Sequence, residues 1–222
     1  MSILNRRGLN NCFIILKMES NNEAAYDRYD KYNQSLRNIN VEEKIEGGSL
    51  LEQTKFFIDY LVSNPQIKVV LEIGFNTGAS AASFLASRDD IHVTSVDIGH
   101  HNYVFTCKNI IDTQFPNRHT LIIGDSKVVI PSLNTLNPDL IFIDGNHIEP
   151  APLIDARNCL ALAHKDTVLI MDDTNLVNGW AGVLQGMCEL IKNRELDNMR
   201  ICTITTKSNA WTLFWKPPEV IT

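Results

Sequence analysis

Five short apolar segments, each separated from the next by a stretch of helical character, constrain the fold of this chain more than any other feature. Strands that are apolar along their whole length are buried on both faces, as in parallel sheets covered by helices. Two further strand patterns near the end, joined by a short polar connection, predict a hairpin. In order along the chain the strand segments read KVVLEI, IHVTSVDI, HTLIIGD, PDLIFIDG, DTVLIMDD, MRICTITT and NAWTLFWK. The pattern predicts a doubly wound α/β fold.

The charge pattern gives no sign of a nucleic-acid or membrane partner. The chain has 222 residues and a formal net charge of -6, and its basic residues form no block. A Lys/Arg cluster is the usual electrostatic footprint of a nucleic-acid or membrane-binding surface. The five cysteines show neither a CxxC nor a Cys/His zinc pattern. We therefore expect reduced thiols and a cytoplasmic protein.

The first part of the chain differs from the rest in its pattern. Residues 1–48 are mostly polar, and we interpret them as an N-terminal extension that can cap a site. Residues 49–222 carry all the strand and helix alternation and form the predicted domain. The segment YDRYDKYNQ, with alternating charges and tyrosines, could instead pack against a second subunit of a homo-oligomer.

Acidic residues stand at the carboxyl ends of the predicted strands. Ligands of doubly wound sheets bind beyond those strand ends, where the strand order reverses. The residues in question are Glu72, Asp97, Asp125, Asp144, Asp172 and Asp173. Their placement predicts one functional site at this edge of the sheet.

A glycine-containing turn follows the first strand. In EIGFNTG, Gly74 and Gly78 let the chain turn sharply and let a ligand approach the backbone at a helix N-terminus. Residue 76 is Asn, so the G-x-G-x-x-G fingerprint of dinucleotide-binding domains is absent. Asp97 lies about 20 residues further on, where an acid typically accepts ribose hydroxyls. This argues for a nucleoside cofactor and against a nicotinamide-dependent oxidoreductase.

With GDS at 124–126 and DLIFIDGNH, this turn resembles the class I S-adenosylmethionine-dependent methyltransferases, over about Ser49 to Lys216. The resemblance implies a Rossmann-like, seven-stranded sheet in the order 3-2-1-4-5-7-6, with strand 7 antiparallel. It implies that Ser80 reaches the cofactor carboxylate, that Asp97 holds the ribose, and that Asp125 and Ser126 flank the adenine. The full set of implied cofactor-binding residues is Glu72, Gly74, Asn76, Thr77, Gly78, Ser80, Asp97, Asp125 and Ser126.

The fourth and fifth strand ends carry a second group of residues. If these strands are neighbours, they lie about 5 Å apart, and Asp144, Asp172 and Asp173 converge. Converging carboxylates repel one another unless a cation lies between them, and oxygen ligands suit Mg²⁺, Mn²⁺ or Ca²⁺. We predict that these three acids bind a divalent cation such as Mg²⁺. A nearby His can take a proton from a hydroxyl group, so we predict His147 as the general base.

This second group resembles the metal-dependent small-molecule O-methyltransferases of the catechol and macrolide-sugar types. In the catechol pattern a Lys stands at the position of His147 and an Asn at that of Asp173, so a catechol substrate is not implied. The resemblance supports Asp144 and His147 as catalytic residues. The leading hypothesis is an O-methyltransferase for a small hydroxylated acceptor, assisted by a divalent metal.

Two alternatives stay open at this point. One is a metal-independent methyltransferase of the same fold with an N or O acceptor. The other is a non-catalytic, cofactor-binding partner protein. The role of Trp180 is open as well, since it can pack on a substrate or in the core, whereas Trp211 and Trp215 are expected in the core.

Overall fold

The computed structural model describes residues 22–45, 51–176 and 180–216, and within them seven helices and seven strands. Helices and strands alternate from the first strand onward, as the sequence pattern predicts. In chain order the elements are α1 (Glu23–Arg37), α2 (Leu51–Ser63), β1 (Val69–Ile73), α3 (Ala79–Ser87), β2 (His92–Asp97), α4 (Tyr103–Gln114), β3 (His119–Ile123), α5 (Ser126–Ser132), β4 (Leu140–Ile143), α6 (Ala151–Leu162), β5 (Val168–Met171), α7 (Ala181–Lys192), β6 (Arg200–Thr205) and β7 (Ala210–Trp215).

The strands form one sheet in the order β3-β2-β1-β4-β5-β7-β6. The first five strands run parallel, and β7 is antiparallel to both β5 and β6. This confirms the predicted Rossmann-like methyltransferase sheet. The strand order reverses between β1 and β4, so the ends of these two strands form the switch point at which such sheets bind ligands.

The two faces of the sheet are covered by different sets of helices. Neighbouring residues of a strand point to opposite faces, so Val70 packs on the side of α2 to α4, and Leu71 on the side of α5 to α7. On the first side Phe57 contacts Phe84 and Phe142 edge to face, with ring centroids 4.9 and 5.0 Å apart. Such aromatic pairs add to the burial energy and fix the positions of the helices against the sheet. Trp211 is buried as predicted, and Trp215 is partly buried.

Residues 22–45 pack on the helices of the first face. Asn22 Nδ2 and Tyr26 Oη both donate to Asp59 Oδ1 of α2, at 2.6 Å each. Arg28 Nε donates to the carbonyl of Ala86, 2.7 Å away, at the end of α3. The described part of the predicted extension is therefore held against the body of the fold, while residues 1–21 and 46–48 lie outside the described residues.

The cysteines are not all in one state. Cys107, Cys159 and Cys188 are free thiols, as expected, whereas Cys202 is disulfide-bonded, so the expectation of five reduced thiols is wrong at that position. Among the described residues, no helix combines the length and the apolar character that crossing a membrane requires.

Candidate active site

The carboxyl ends of the parallel strands line up at one edge of the sheet. Hydrogen bonds continue the ladder past the strands: Gly74 N donates to Val96 O at 2.8 Å, Asp144 N to Ile73 O at 2.8 Å, and Asp172 N to Ile143 O at 3.0 Å. The residues that follow β1, β4 and β5 are therefore fixed by the sheet itself. The predicted acids at these strand ends share one edge.

Residues 74–78, which we call the cofactor loop, turn sharply between β1 and α3. Gly74, Asn76 and Gly78 all have positive φ angles, of 94°, 48° and 77°. Glycine adopts this left-handed region freely, and Asn is the side chain that tolerates it best. Because residues with positive φ alternate with the residues between them, successive peptide groups of the loop face different partners. The backbone of the loop therefore has a well-defined shape.

Asp97 at the end of β2 holds this loop. Its Oδ2 accepts hydrogen bonds from Phe75 N at 2.8 Å and Asn76 N at 2.9 Å, and its Oδ1 accepts one from Gly99 N at 2.7 Å. The contact of Asp97 with a cofactor ribose stays a prediction. The three bonds show that Asp97 also supports the backbone of the loop, which the sequence pattern did not indicate.

Glu72 lies beneath the loop, fully buried, in a chain of polar groups. Ser80 and Ser95 donate to its two carboxylate oxygens, and Ser95 Oγ lies 2.9 Å from His119 Nε2. Burial raises the pKa of Glu72 to about 8, and burial lowers the pKa of His119 to about 3. Both side chains are therefore neutral near pH 7. This series of hydrogen-bonded side chains stabilises the floor of the site without burying a charge.

Asp125 and Ser126 lie at the start of α5. Asp125 caps that helix, because its side chain accepts a hydrogen bond from Lys127 N at 3.0 Å. Ser126 Oγ donates to Asp155 Oδ1 of α6 at 2.7 Å. Asp155 is buried, which raises its pKa. Asp155 was not predicted from the sequence, although it is the one acid of the mostly apolar helix APLIDARNCLAL.

Asp144, His147 and Asp173 come together at the ends of β4 and β5. His147 Nε2 lies 3.2 Å from Asp144 Oδ1 and 3.2 Å from Asp173 Oδ2. One ligand atom of each residue lies within 4.8 Å of the others, a spacing that a single metal ion can bridge. Asp173 has a φ of 50°, and such backbone conformations concentrate at functional sites.

Asp172 belongs to the same group but faces other partners. It is 5% exposed, and its Oδ1 accepts a hydrogen bond from Asn209 Nδ2 at 3.0 Å. Burial raises the pKa of Asp172 to about 8, with the charge of Asp144 acting in the same direction. No pattern in the sequence indicates Asn209, which precedes β7 and becomes a neighbour of Asp172 only through the sheet order.

The electrostatics of the cluster favour a positive charge among the acids. Burial raises the pKa of Asp144, and the charge of Asp173 adds to this effect while His147 opposes it. Burial alone lowers the pKa of His147, but the hydrogen bond and charge of Asp144, with the charges of Asp173 and Asp172, raise it overall. Either an imidazolium or a divalent cation can neutralise these carboxylates.

Trp180 lies on the open side of this cluster. Its ring stacks on that of His147, with centroids 4.8 Å apart and planes at 29°, and it is 41% exposed. The structure therefore does not place Trp180 in the core, and a contact with substrate stays a prediction. Gly182 allows this arrangement, because a Cβ there would lie 2.4 Å from the carbonyl oxygen of His147.

Comparison with known proteins agrees with the fold. A family model described as a methyltransferase domain matches residues 71–174. The structure of an S-adenosylhomocysteine-bound methyltransferase, PaMTH1 of Podospora anserina, is similar over 98% of this chain and 100% of its own, with a TM-score of 0.67 and 17% identity. The O-methyltransferase TomG of Streptomyces achromogenes, solved with S-adenosylmethionine, covers 97% of this chain and 100% of its own, with a TM-score of 0.67 and 16% identity.

A third structure, the O-methyltransferase of Bacillus cereus in complex with S-adenosylhomocysteine, covers 86% of this chain and 91% of its own, with a TM-score of 0.66 and 15% identity. No curated protein matches the sequence. The matched segment lies within a sheet whose strand order is that of the class I methyltransferase fold. The chain thus has the fold of S-adenosylmethionine-dependent methyltransferases, as the sequence resemblance implied.

Proposed function

We propose that the protein transfers a methyl group from S-adenosylmethionine to a hydroxyl oxygen of a small molecule, with the help of a divalent cation bound at Asp144 and Asp173. The observation that carries this proposal is the convergence of Asp144, His147 and Asp173 within 4.8 Å of one another. They stand beside the cofactor loop, because β4 and β1 are neighbours in the sheet. The predicted cofactor contacts of that loop, and of Ser80, Asp125 and Ser126, are part of the same proposal.

The donor set fits a hard divalent cation. The two carboxylates would suit Mg²⁺ or Mn²⁺ better than a structural zinc, and they would leave positions on the ion for oxygen atoms of an acceptor, with His147 beside them as the base. A bound ion supplies Lewis acidity that lowers the pKa of a hydroxyl group. The sequence also predicts Asp172 as a ligand, and its carboxylate lies next in the chain to Asp173.

The chemical step needs only a proton acceptor and correct placement. A C–O bond forms as the C–S bond of the sulfonium breaks, and the hydroxyl proton must leave the acceptor. In this site His147 Nε2 is the group that can take that proton when the imidazole is neutral. Holding the oxygen in line with the methyl carbon supplies much of the rate enhancement in such a displacement.

The surroundings of the cluster suit an organic acceptor of modest size. Trp180, which stacks on His147, is 41% exposed. Ile148, the residue after His147, and Leu176, which follows β5, are 68% and 63% exposed. Aromatic and apolar side chains with a few directed polar groups are typical of small-molecule sites. A cytoplasmic location and a homo-oligomeric state stay predictions from the sequence.

A second candidate function has an observation of its own. His147 Nε2 already lies 3.2 Å from both carboxylates, so a protonated imidazole can provide the positive charge that they need. In that case the enzyme transfers methyl groups without a metal, and Asp144 and Asp173 orient the base. The acceptor of such an enzyme can carry either nitrogen or oxygen.

Removal of metal separates the two candidates. The protein is treated with EDTA, and formation of S-adenosylhomocysteine is followed with hydroxylated aromatic compounds and sugars as acceptors. We expect the rate to fall on EDTA treatment and to recover with Mg²⁺ or Mn²⁺. A rate that EDTA leaves unchanged would contradict metal assistance and favour the second candidate.

A binding measurement completes this test. Calorimetric titration with S-adenosylhomocysteine should give the same affinity before and after EDTA, which shows that the treated protein is folded. Cofactor binding without turnover on any acceptor would support the remaining alternative, a non-catalytic partner protein.

A further inference from the structure

The N-terminal part of the chain contacts the cofactor loop directly. Tyr32 of α1 has no exposed surface, and its hydroxyl donates to the carbonyl oxygen of Thr77. A Cβ at Gly78 would lie 3.2 Å from the Tyr32 hydroxyl, so the phenol packs against the loop backbone. A residue 45 positions earlier in sequence thus holds one peptide group of the loop.

A second tyrosine holds the neighbouring residue of the loop. Tyr103, at the start of α4, is also fully buried, and its hydroxyl donates to Asn76 Oδ1 at 2.6 Å. Its ring stacks on His101, with centroids 4.9 Å apart and planes at 7°. Because Tyr103 belongs to the apolar core, the position of Asn76 is tied to the packing of α4.

The N-terminal segment reaches this second tyrosine as well. Glu43 Oε1 lies 2.6 Å from His101 Nδ1, and Glu43 Oε2 accepts a hydrogen bond from Asn102 N at 2.9 Å. Residues 22–45 therefore connect to the cofactor loop by two routes, one through Tyr32 and one through His101 and Tyr103.

A loop of this shape requires such support. Asn76 has a left-handed backbone conformation, which is less favourable for any residue other than glycine. Asp97 holds the N–H groups of Phe75 and Asn76, whereas Tyr32 holds the carbonyl of Thr77. Together these bonds fix the peptide orientations of three consecutive loop residues.

We propose that Tyr32 and Tyr103 are positioning residues, which hold the cofactor loop in its binding conformation and make residues 22–45 a built-in part of the cofactor site. The inference rests on the predicted role of residues 74–78 in cofactor binding and is independent of the metal. A preorganised loop binds its ligand with less loss of conformational entropy. Loss of either phenol hydroxyl therefore weakens cofactor binding and leaves the chemical step unchanged.

The test compares three Tyr→Phe variants of the full chain. Tyr32→Phe and Tyr103→Phe keep the buried rings and remove only the hydroxyl groups. Tyr60→Phe is the matched control, because Tyr60 is a buried tyrosine of α2 in the same apolar cluster as Tyr32. The dissociation constant of S-adenosylhomocysteine is measured by calorimetry, well below the melting temperature of each variant.

We expect a roughly 3- to 10-fold weaker affinity in each of the first two variants, the size of one lost hydrogen bond, and no change in Tyr60→Phe. With an acceptor in hand, the KM for S-adenosylmethionine should rise while kcat stays the same. A purely structural role would lower the melting temperature and leave the affinity of the folded protein as in wild type. That result, or equal weakening in all three variants, would overturn the proposal.

Two further outcomes are decisive in the same way. If Tyr32→Phe does not fold, Tyr103→Phe is judged alone by the same criterion, because its bond reaches the loop from α4. If wild-type protein does not bind S-adenosylhomocysteine at all, the assignment of residues 74–78 is wrong and the proposal fails with it.

Discussion

The Cα of Gly74 lies directly against the carbonyl group of Asp144: a Cβ at position 74 would come within 2.1 Å of the Asp144 oxygen and 2.7 Å of its carbonyl carbon. The cofactor loop and the first acid of the proposed metal site are therefore packed backbone to backbone at the switch point of the sheet. A side chain at position 74 would therefore have to displace the backbone that carries Asp144.

We predict that Gly74→Ala damages both halves of the site. The new methyl group meets backbone atoms, and the φ of 94° is unfavourable for alanine. Left-handed strain of about 1–2 kcal/mol and an overpacking cost of about 1–3 kcal/mol add up to a large fraction of typical stability. Thermal melting and S-adenosylhomocysteine titration should show a lower melting temperature and a loss of binding.

Gly99→Ala is the matched control for this variant. Gly99 also has a positive φ, of 70°, but its Cβ would meet the side chain of Ile123, which can move. Gly99→Ala therefore has the strain of a positive φ but no clash with backbone atoms. Equal melting temperatures for the two variants would contradict the claim that contact with Asp144 decides the effect.

Glu72 makes the stability of the protein depend on pH. Burial raises its folded-state pKa to about 8 from the ordinary value of 4.5. Between these values the folded protein keeps a proton that the unfolded chain has lost, so the free energy of unfolding falls as the pH rises. The slope from one such group is at most about 1.4 kcal/mol per pH unit.

We predict that the free energy of unfolding of Glu72→Gln depends less on pH than that of wild type. Glutamine has the shape of the neutral acid and does not titrate, so the variant should resemble wild type at pH 5 and gain on it towards pH 8. Other titrating groups, such as Asp172, change the free energy of unfolding of wild type and variant equally. Their effect cancels when one pH profile is subtracted from the other. Denaturant unfolding at several pH values measures this difference, and a constant difference from pH 5 to 9 would mean that Glu72 is ionised throughout.

The sequence was sufficient for the fold because the signals are local and repeated. Each buried strand is an uninterrupted apolar run, and the acids at the strand ends follow the general rule for ligand sites in doubly wound sheets. The order of the strands came from a family resemblance, and the structure confirms it. Pattern reasoning therefore places Glu72, Asp97 and Asp144 on the correct edge.

Contacts between distant segments were beyond the reach of the sequence pattern. Tyr32 lies 45 residues from Thr77, and Asn209 lies 37 residues from Asp172. Nothing in a tyrosine of a polar helix, or in an Asn of a tight turn, indicates which backbone or side chain it meets. Such partners are set by how the helices cross the sheet, which depends on the packing of the whole core.

We predict that His147→Ala lowers the rate of the chemical step and leaves cofactor affinity unchanged. Loss of a general base typically reduces the rate by about 10²- to 10⁴-fold. His164→Ala is a close control, because His164 Nε2 also lies 3.2 Å from an aspartate, Asp139, which precedes β4 at the opposite edge of the sheet. Single-turnover kinetics should show a defect in the first variant alone. An unchanged rate in His147→Ala would assign this residue to structure.

The last prediction concerns how the acids at the end of β5 share the proposed cation. Asp173 Oδ2 points to the same spot as His147 and Asp144, whereas Asp172 Oδ1 is held by Asn209 at 3.0 Å. A ligand that binds only the folded state raises its stability, by about 2.7 kcal/mol at a hundred times the dissociation constant. Excess Mg²⁺ or Mn²⁺ should therefore raise the melting temperature of EDTA-treated wild type by several degrees.

In Asp173→Asn we expect this rise to be lost, because the amide removes one of the two converging negative charges. In Asp172→Asn most of the rise should remain, since the amide oxygen can still accept the bond from Asn209. Equal loss in both variants would make Asp172 a full ligand, as the sequence predicts. No rise in wild type would contradict the cation site and leave His147 as the positive partner of the two acids.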